Sequence, residues 1–185
     1  VRSTDGGFGW LDGTYGIDAS EPTNWSTPVI MDPNSSNVLY YGTHSLYRTT
    51  DGAVSWTKIS PRLTDWYSGS RLGTLTTIAV APTNSNVIYA GTDDAHVWVS
   101  SNNGANWNDV SDGLPQRWIT RVVVDPSDEN IVYATFSGLK WRDPQPHVYR
   151  STNKGTDWND ISNNLPDAPV NAFAVDNNFS NRLYL

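Results

Sequence analysis

Carboxylates, imidazoles and indoles are the side chains in this 185-residue chain with the types and placement to do chemistry. Asp65, Asp93, Asp94 and Asp143 are the carboxylates of interest. Two carboxyl groups roughly 5–10 Å apart across a groove can cleave a glycosidic bond, one as acid and the other as nucleophile or base. Alternatively, such residues are simply solvated in an acidic chain. His44, His96 and His147 are the three histidines. Imidazole ligates metals, but no two of these lie close enough in sequence to fix a coordination geometry, so no metal site is expected. Hydrogen bonding at strand starts suits His96 and His147 better. The aromatic set is Trp25, Trp66, Tyr67, Trp118 and Trp141, with Arg117, Arg142 and Asp143 beside it. Such indoles either stack on sugar rings or pack between elements.

Composition narrows the classes. The formal charge is −7 and there are three Lys, so nucleic acid and anionic membrane are poor partners. There is no Cys, which excludes disulfides and thiolate metal sites, and no cofactor is expected. No apolar run approaches ~18 residues, so no membrane-spanning helix is expected. The sequence starts Val-Arg-Ser-Thr-Asp-Gly-Gly, with neither Met nor a signal peptide, as in a processed protein or a piece of a longer one. Nine Trp and nine Tyr accompany 18 Asn, 17 Asp and two Glu. Turn formers abound and helix formers are scarce, which predicts an all-β fold.

The elements that must position these residues come from a repeat. Four eight-residue segments align without gaps: Ser3–Trp10, Thr49–Trp56, Ser100–Trp107 and Ser151–Trp158. A second motif interleaves with them: an apolar run ending in Asp, then Asn-x-x-Tyr, as in Val29–Asp32 with Asn37–Tyr40 and Val122–Asp125 with Asn130–Tyr133. Ile78–Ala81 with Asn86–Tyr89 and Phe173–Asp176 with Asn181–Tyr184 repeat it. A period near 50 residues fits one four-stranded propeller blade. Strand A is the run before the Asp, strand B follows the Asn, strand C leads into the eight-residue segment, and strand D starts at its Trp.

The eight-residue segment resembles the Asp-box, or BNR repeat, of sialidases, tandem-propeller xyloglucanases, sortilin-type receptors and a plant photosystem assembly factor. The resemblance covers nearly the whole chain. It implies a β-propeller of four-stranded antiparallel blades with a box at each C-to-D turn. Ser3, Asp5, Gly7 and Trp10 are the first set of box residues, and Thr49, Asp51 and Trp56 the second. Ser100, Asn102, Gly104 and Trp107 form the third, and Ser151, Asn153, Gly155 and Trp158 the fourth. Their expected role is structural. The Asp or Asn closes the turn by accepting from N–H groups two residues on, the Gly takes a positive φ, and the Trp fills the seam between blades. Asn102 and Asn153 depart from Asp, and Ala53 departs from Gly with a distorted box as the expected result.

On this pattern residues 1–185 form one propeller fragment. Residues 28–59, 76–110 and 120–161 are full blades, 1–13 supplies strands C and D of another, and 171–185 supplies strands A and B. These halves are complementary. They pair within one chain, pair between two chains, or belong to a longer parent; a fragment self-associating as a dimer through its half-blades is the favoured expectation.

Propeller topology puts D-to-A and B-to-C loops on one face and the boxes on the other. All the candidates above fall on the box-free face, where loops carry function. Thr92-Asp93 resembles the segment holding a catalytic Asp in the first propeller of xyloglucanases, which implies Asp93 as one catalytic carboxylate. The Gly pair that follows there is replaced by Asp94-Ala95, and the second acid of that family lies on another propeller. No Arg triad for sialosides is present. Two functions stay open: a non-catalytic scaffold or binding module for a glycan or protein in a secreted, expectedly bacterial, protein, or part of a glycoside hydrolase using Asp93.

Overall fold

A computed structural model of the chain describes residues 1–65, 73–179 and 181–185. Runs rich in β-branched and aromatic residues pair as antiparallel strands. The described residues form three four-stranded sheets. The first holds β1 (Val29–Asp32), β2 (Ser35–Gly42), β3 (Leu46–Thr49) and β4 (Thr57–Lys58). The second holds β5 (Leu75–Ala81), β6 (Asn84–Thr92), β7 (Val97–Ser100) and β8 (Asn108–Asp109). The third holds β9 (Trp118–Val124), β10 (Val132–Ser137), β11 (His147–Ser151) and β12 (Asn159–Asp160). β13 (Ala174–Val175) pairs only with β14 (Leu183–Tyr184), and Arg2 bridges Leu11. Among the described residues there is no α-helix, and the two terminal half-blades do not pair with each other. The architecture is an all-β propeller fragment with each box at a C-to-D turn.

The second sheet buries both faces, whereas on the first Val29 and Met31 of β1 stay more than half exposed. One apolar cluster joins the first and second blades through Tyr40, Leu46, Leu75, Ile78 and Ile88. Another joins the second and third through Val87, Tyr89, Ile119, Val122 and Phe136. Inner strands therefore read as nearly continuous hydrophobic runs rather than as alternating ones.

The second motif is a hydrogen-bonded unit. Asp32 Oδ1 accepts from the Asn34 N–H (2.8 Å), closing the A-to-B turn. Its Oδ2 accepts from the Tyr40 hydroxyl (3.2 Å), so the Asp and Tyr of the motif meet. Asp176 and Tyr184 repeat the pairing at 3.3 Å, but in the third blade Asp125 Oδ2 is buried without a partner, so Asp125 and Tyr133 do not make it. In the second blade the Asp position holds Ala81, and the buried Tyr89 hydroxyl has no partner. One substitution has orphaned a hydroxyl 8 residues away.

All four boxes use the same bonds. The Ser or Thr hydroxyl donates to the Asp or Asn Oδ1 at 2.8, 2.6, 3.0 and 2.8 Å. The N–H four residues after that hydroxyl donates back to it. The Oδ1 accepts from the N–H four residues on, at Gly9, Ser55, Asn106 and Asp157, and not from the N–H two residues on as expected, which goes to the Ser or Thr hydroxyl. One oxygen suffices, so Asn serves as well as Asp; Asn153 also donates its amide to Asp157 (2.7 Å). The Gly9 N–H and Ser3 hydroxyl at Asp5, and the Ser55 and Thr49 hydroxyls at Asp51, hold both carboxyls below the usual range. Ala53 does not distort its box. It takes φ 64° and keeps its bond to Thr49 at 3.1 Å. Gly104 and Gly155 have less room, since a Cβ there would meet Ile59 or Val110 of the preceding blade at 2.9 and 2.8 Å.

The box indoles stitch the seams. Trp56 Nε1 donates to the Gly13 carbonyl (2.7 Å), Trp107 to Ile59 (2.9 Å) and Trp158 to Val110 (2.7 Å). Ile59 and Val110 each follow a two-residue strand D, so the indole anchors the weakest edge of the preceding blade. Trp107 and Trp158 are half-buried rather than fully buried. Trp10 departs from the expectation: it has no such acceptor among the described residues and is 65% exposed.

Two predictions follow from this packing. Trp56→Ala, which empties a site only 7% exposed, should cost ~3–5 kcal/mol in urea unfolding, against less than ~1 kcal/mol for Trp10→Ala. Tyr40→Phe should cost about 1–2 kcal/mol by stranding Asp32, whereas Tyr89→Phe should be neutral or stabilising, since its hydroxyl is already unsatisfied. Equal costs for the two tyrosines would refute the Asp–Tyr pairing.

Candidate functional site

The box-free face gathers the loop entering each blade and that blade's own B-to-C turn. In each blade a carboxylate pins one to the other. Glu21, in the loop entering the first blade, accepts from Thr43 at the end of β2, and also from Lys58 on β4. Asp93, just past β6, accepts from the N–H and hydroxyl of Thr74 at 2.7 and 2.9 Å. Asp143, in the long third-blade turn, accepts from Arg117 Nε at 3.1 Å and faces His147 Nε2 at 2.9 Å.

These contacts set the electrostatics. Burial pushes the Asp93 carboxyl up, opposed by its bonds from Thr74. Burial would raise Glu21 as well, but the Lys58 ammonium and Thr43 hydroxyl outweigh it and hold it below its usual value. Asp143 is held low by His147, with the Gln145 N–H and Arg117 adding to the effect. Asp94 is not solvated as expected. It is 8% exposed and its Oδ2 accepts from the Asp65 N–H (2.8 Å), away from the Asp93–Thr74 contact. Adjacent residues beside a strand face opposite ways, so Asp93 and Asp94 do not form a catalytic pair.

His96 is a second clamp. Its Nδ1 lies 2.8 Å from Asp109 Oδ2 and its Nε2 lies 3.2 Å from Asp65 Oδ2. The Asp109 hydrogen bond dominates over burial and, with Asp65, pushes the imidazole up to about 9. Trp98 packs beside it and donates Nε1 to the Leu63 carbonyl (2.7 Å). His44 is instead pushed down by burial, and its Nε2 is 3.9 Å from Glu21. No three metal-ligating side chains converge among the described residues.

Trp25 and Trp118 come together. They line a groove of about 220 Å³ with Asn24, Ser26, Thr76, Thr120, Arg121 and Asn171. Trp25 is 92% exposed, so packing between blades is not its role; Trp118 is half-buried. Asn24 donates to Thr74 Oγ1 (2.9 Å), so Asp93 stands behind the groove wall rather than in it. The groove shares Ser26, Thr76 and Arg121 with a channel of about 420 Å³ along the inner strands β1, β5 and β9. No carboxylate is among its described lining residues. Arg142 is exposed and left-handed (φ 57°), just past a 3-10 turn at Leu139–Trp141. Trp66 and Tyr67 lie outside the described residues, as does the side chain of Trp141. Glu21, Asn24, Arg121 and Asn171 had no motif to announce them; only their places in entering loops or on an inner strand point to this face.

The His96 clamp makes stability pH-dependent. Its folded value near 9 lies above the ordinary 6.5, so its contribution is complete below about pH 6.5 and declines as pH rises towards 9. That loss should be on the order of 1–2 kcal/mol, the partners being partly exposed. His96→Gln should flatten the decline in urea melts at pH 6 and pH 9; an unchanged slope would exclude the clamp.

Comparisons with known proteins place this geometry. A xyloglucanase of Hypocrea jecorina (strain QM6a) is 25% identical over 189 residues, covering 88% of this chain and 22% of that protein. The chain thus spans about a fifth of the length of this curated relative. The crystal structure of the GH74 xyloglucanase from Xanthomonas campestris superposes with a TM-score of 0.63 at 18% identity, covering 84% of this chain and 26% of that one. The Cps50 (Swd1) β-propeller domain of Myceliophteria thermophila superposes with a TM-score of 0.56 at 11% identity, covering 89% and 48%. These two likenesses carry the fold alone. The first relates the chain to a glycoside hydrolase. Residues 44–183 match the Sortilin-Vps10 model, described as sortilin, neurotensin receptor 3. With its four Asp-boxes and four-stranded blades, the chain belongs to the Sortilin-Vps10 family of Asp-box propellers.

Proposed function

We propose that the chain is part of a non-catalytic propeller of a secreted protein that binds carbohydrate on its loop face. The observation that carries this reading is the Trp25–Trp118 groove. An indole left 92% exposed at the rim of a groove, beside amides and hydroxyls, suits a sugar ring and its hydroxyls. The likeness to a xyloglucanase supports a glycan as ligand class. A glycosidase of the usual kind needs two carboxyl groups flanking one bond. Asp93 is bound twice by Thr74, and the other carboxylates are engaged in clamps.

The raised pKa of Asp93 favours one rival: a general acid whose partner comes from elsewhere. Affinity electrophoresis in xyloglucan and other plant glycans, paired with a reducing-sugar assay, separates the two. Retardation without turnover, lost at least ~5-fold in Trp25→Ala, is expected. Turnover that disappears in Asp93→Asn would replace the binding reading with hydrolysis.

A further inference from the structure

The groove holds one ionisable side chain among its described lining residues, Arg121. It lies on inner strand β9, exposed, where the groove meets the channel. One of its donors, an Nη1 hydrogen, goes to the Thr120 carbonyl (2.8 Å). No carboxylate lies within ion-pair distance of it among the described residues. The nearby guanidinium of Arg117 is different, being held by Asp143. Lys58 and Lys154 are likewise paired, with Glu21 and Glu129. The corresponding positions in the other blades, Pro28 and Thr77, are uncharged, so repeat geometry does not demand an arginine here.

We propose that the groove takes an acidic glycan, with a uronic acid ring against the Trp25–Trp118 wall and its carboxylate on Arg121. This rests on the carbohydrate reading above and names the class of sugar. The geometry is that of the sugar itself. The C6 carboxylate of a pyranuronide projects from the ring's edge, so a ring stacked face-on to an indole offers it sideways to a guanidinium at the groove margin. The four remaining N–H donors can grip that planar group in the two-pronged manner that lysine cannot. In a chain of net charge −7, a groove whose described lining holds one cation, without an ion-pair partner among the described residues, and no carboxylate marks where an anion is tolerated. A sulfate ester shares the charge but lacks the planar match.

The test is isothermal titration of the whole chain with three oligosaccharide sets: oligogalacturonates, their methyl esters and neutral xyloglucan oligomers. A sulfated galactan serves as a fourth. Oligogalacturonate should bind at least ~10-fold tighter than its methyl ester, and the difference should shrink at 0.5 M salt. Arg121→Gln should erase the difference between acid and ester, Arg121→Lys should restore only part, and Trp25→Ala should weaken all sets. The methyl ester removes the same charge from the ligand, so the test stands even where a variant folds poorly. Equal binding of acid and ester, or tighter binding of sulfated galactan, overturns this inference while leaving the carbohydrate reading in place. Absence of binding to every glycan overturns both.

Discussion

The seam between successive blades is the constraint on which everything else depends. A four-stranded sheet with two apolar faces is stable only when both are covered, and its outermost strand here is only two residues long. Such an edge is marginal alone. The next blade's box supplies what it lacks: an indole that covers it and an N–H that takes its carbonyl. Because each seam spans 43 to 48 residues, blades cannot fold as independent hairpins. The nearest-neighbour coupling of repeat proteins follows.

That division of labour accounts for many of the polar residues in this chain as structural ties. The boxes settle one face, with their Ser, Thr, Asp and Asn oxygens turned inward to the backbone. On the other face the carboxylates do a parallel job. Glu21, Asp93 and Asp143 each tie an entering loop to a B-to-C turn, and Asp65 and Asp109 share His96. Each such clamp fixes a described part of a loop against a strand end, and a site held in place in that way would carry a lower ordering cost of binding.

The fold was legible because two motifs with one period carry it. Box residues and the Asp–Tyr unit of strands A and B announce themselves by type and spacing. The bond itself forms in two of the four copies, Asp32 with Tyr40 and Asp176 with Tyr184, so spacing announces the motif more surely than the contact. The face on which each candidate sits followed from topology. What was not legible were contacts between residues with no motif. Nothing local says that Asp94 turns to Asp65, that Trp25 stays in solvent, or that Asn24 screens Asp93 from the groove. These depend on how loops from different blades meet, which side-chain pattern within one blade does not encode. Arg121 was hidden for a related reason, since a charge on an inner strand reads as an irregularity until neighbouring blades turn it into a channel wall.

Kinship with a glycoside hydrolase has to be weighed against how this chain uses its carboxylates. A propeller holds its loops at fixed separations, and catalysis needs two of those loops to aim carboxylates at one bond. Here the entering loops and B-to-C turns spend their carboxylates on each other. Two donors from one threonine hold the Asp93 carboxyl in place and oppose, without cancelling, the rise that burial gives its pKa. Freeing it to give a proton to a leaving group would break the tie that positions Thr74, and with it the Asn24 wall of the groove. The same hydrogen bonds that fix the Asn24 wall of the groove also engage Asp93 behind it. Binding and hydrolysis would be competing uses of one loop cluster, and the ties at Asp93 and Asp143 are what the proposed binding reading rests on.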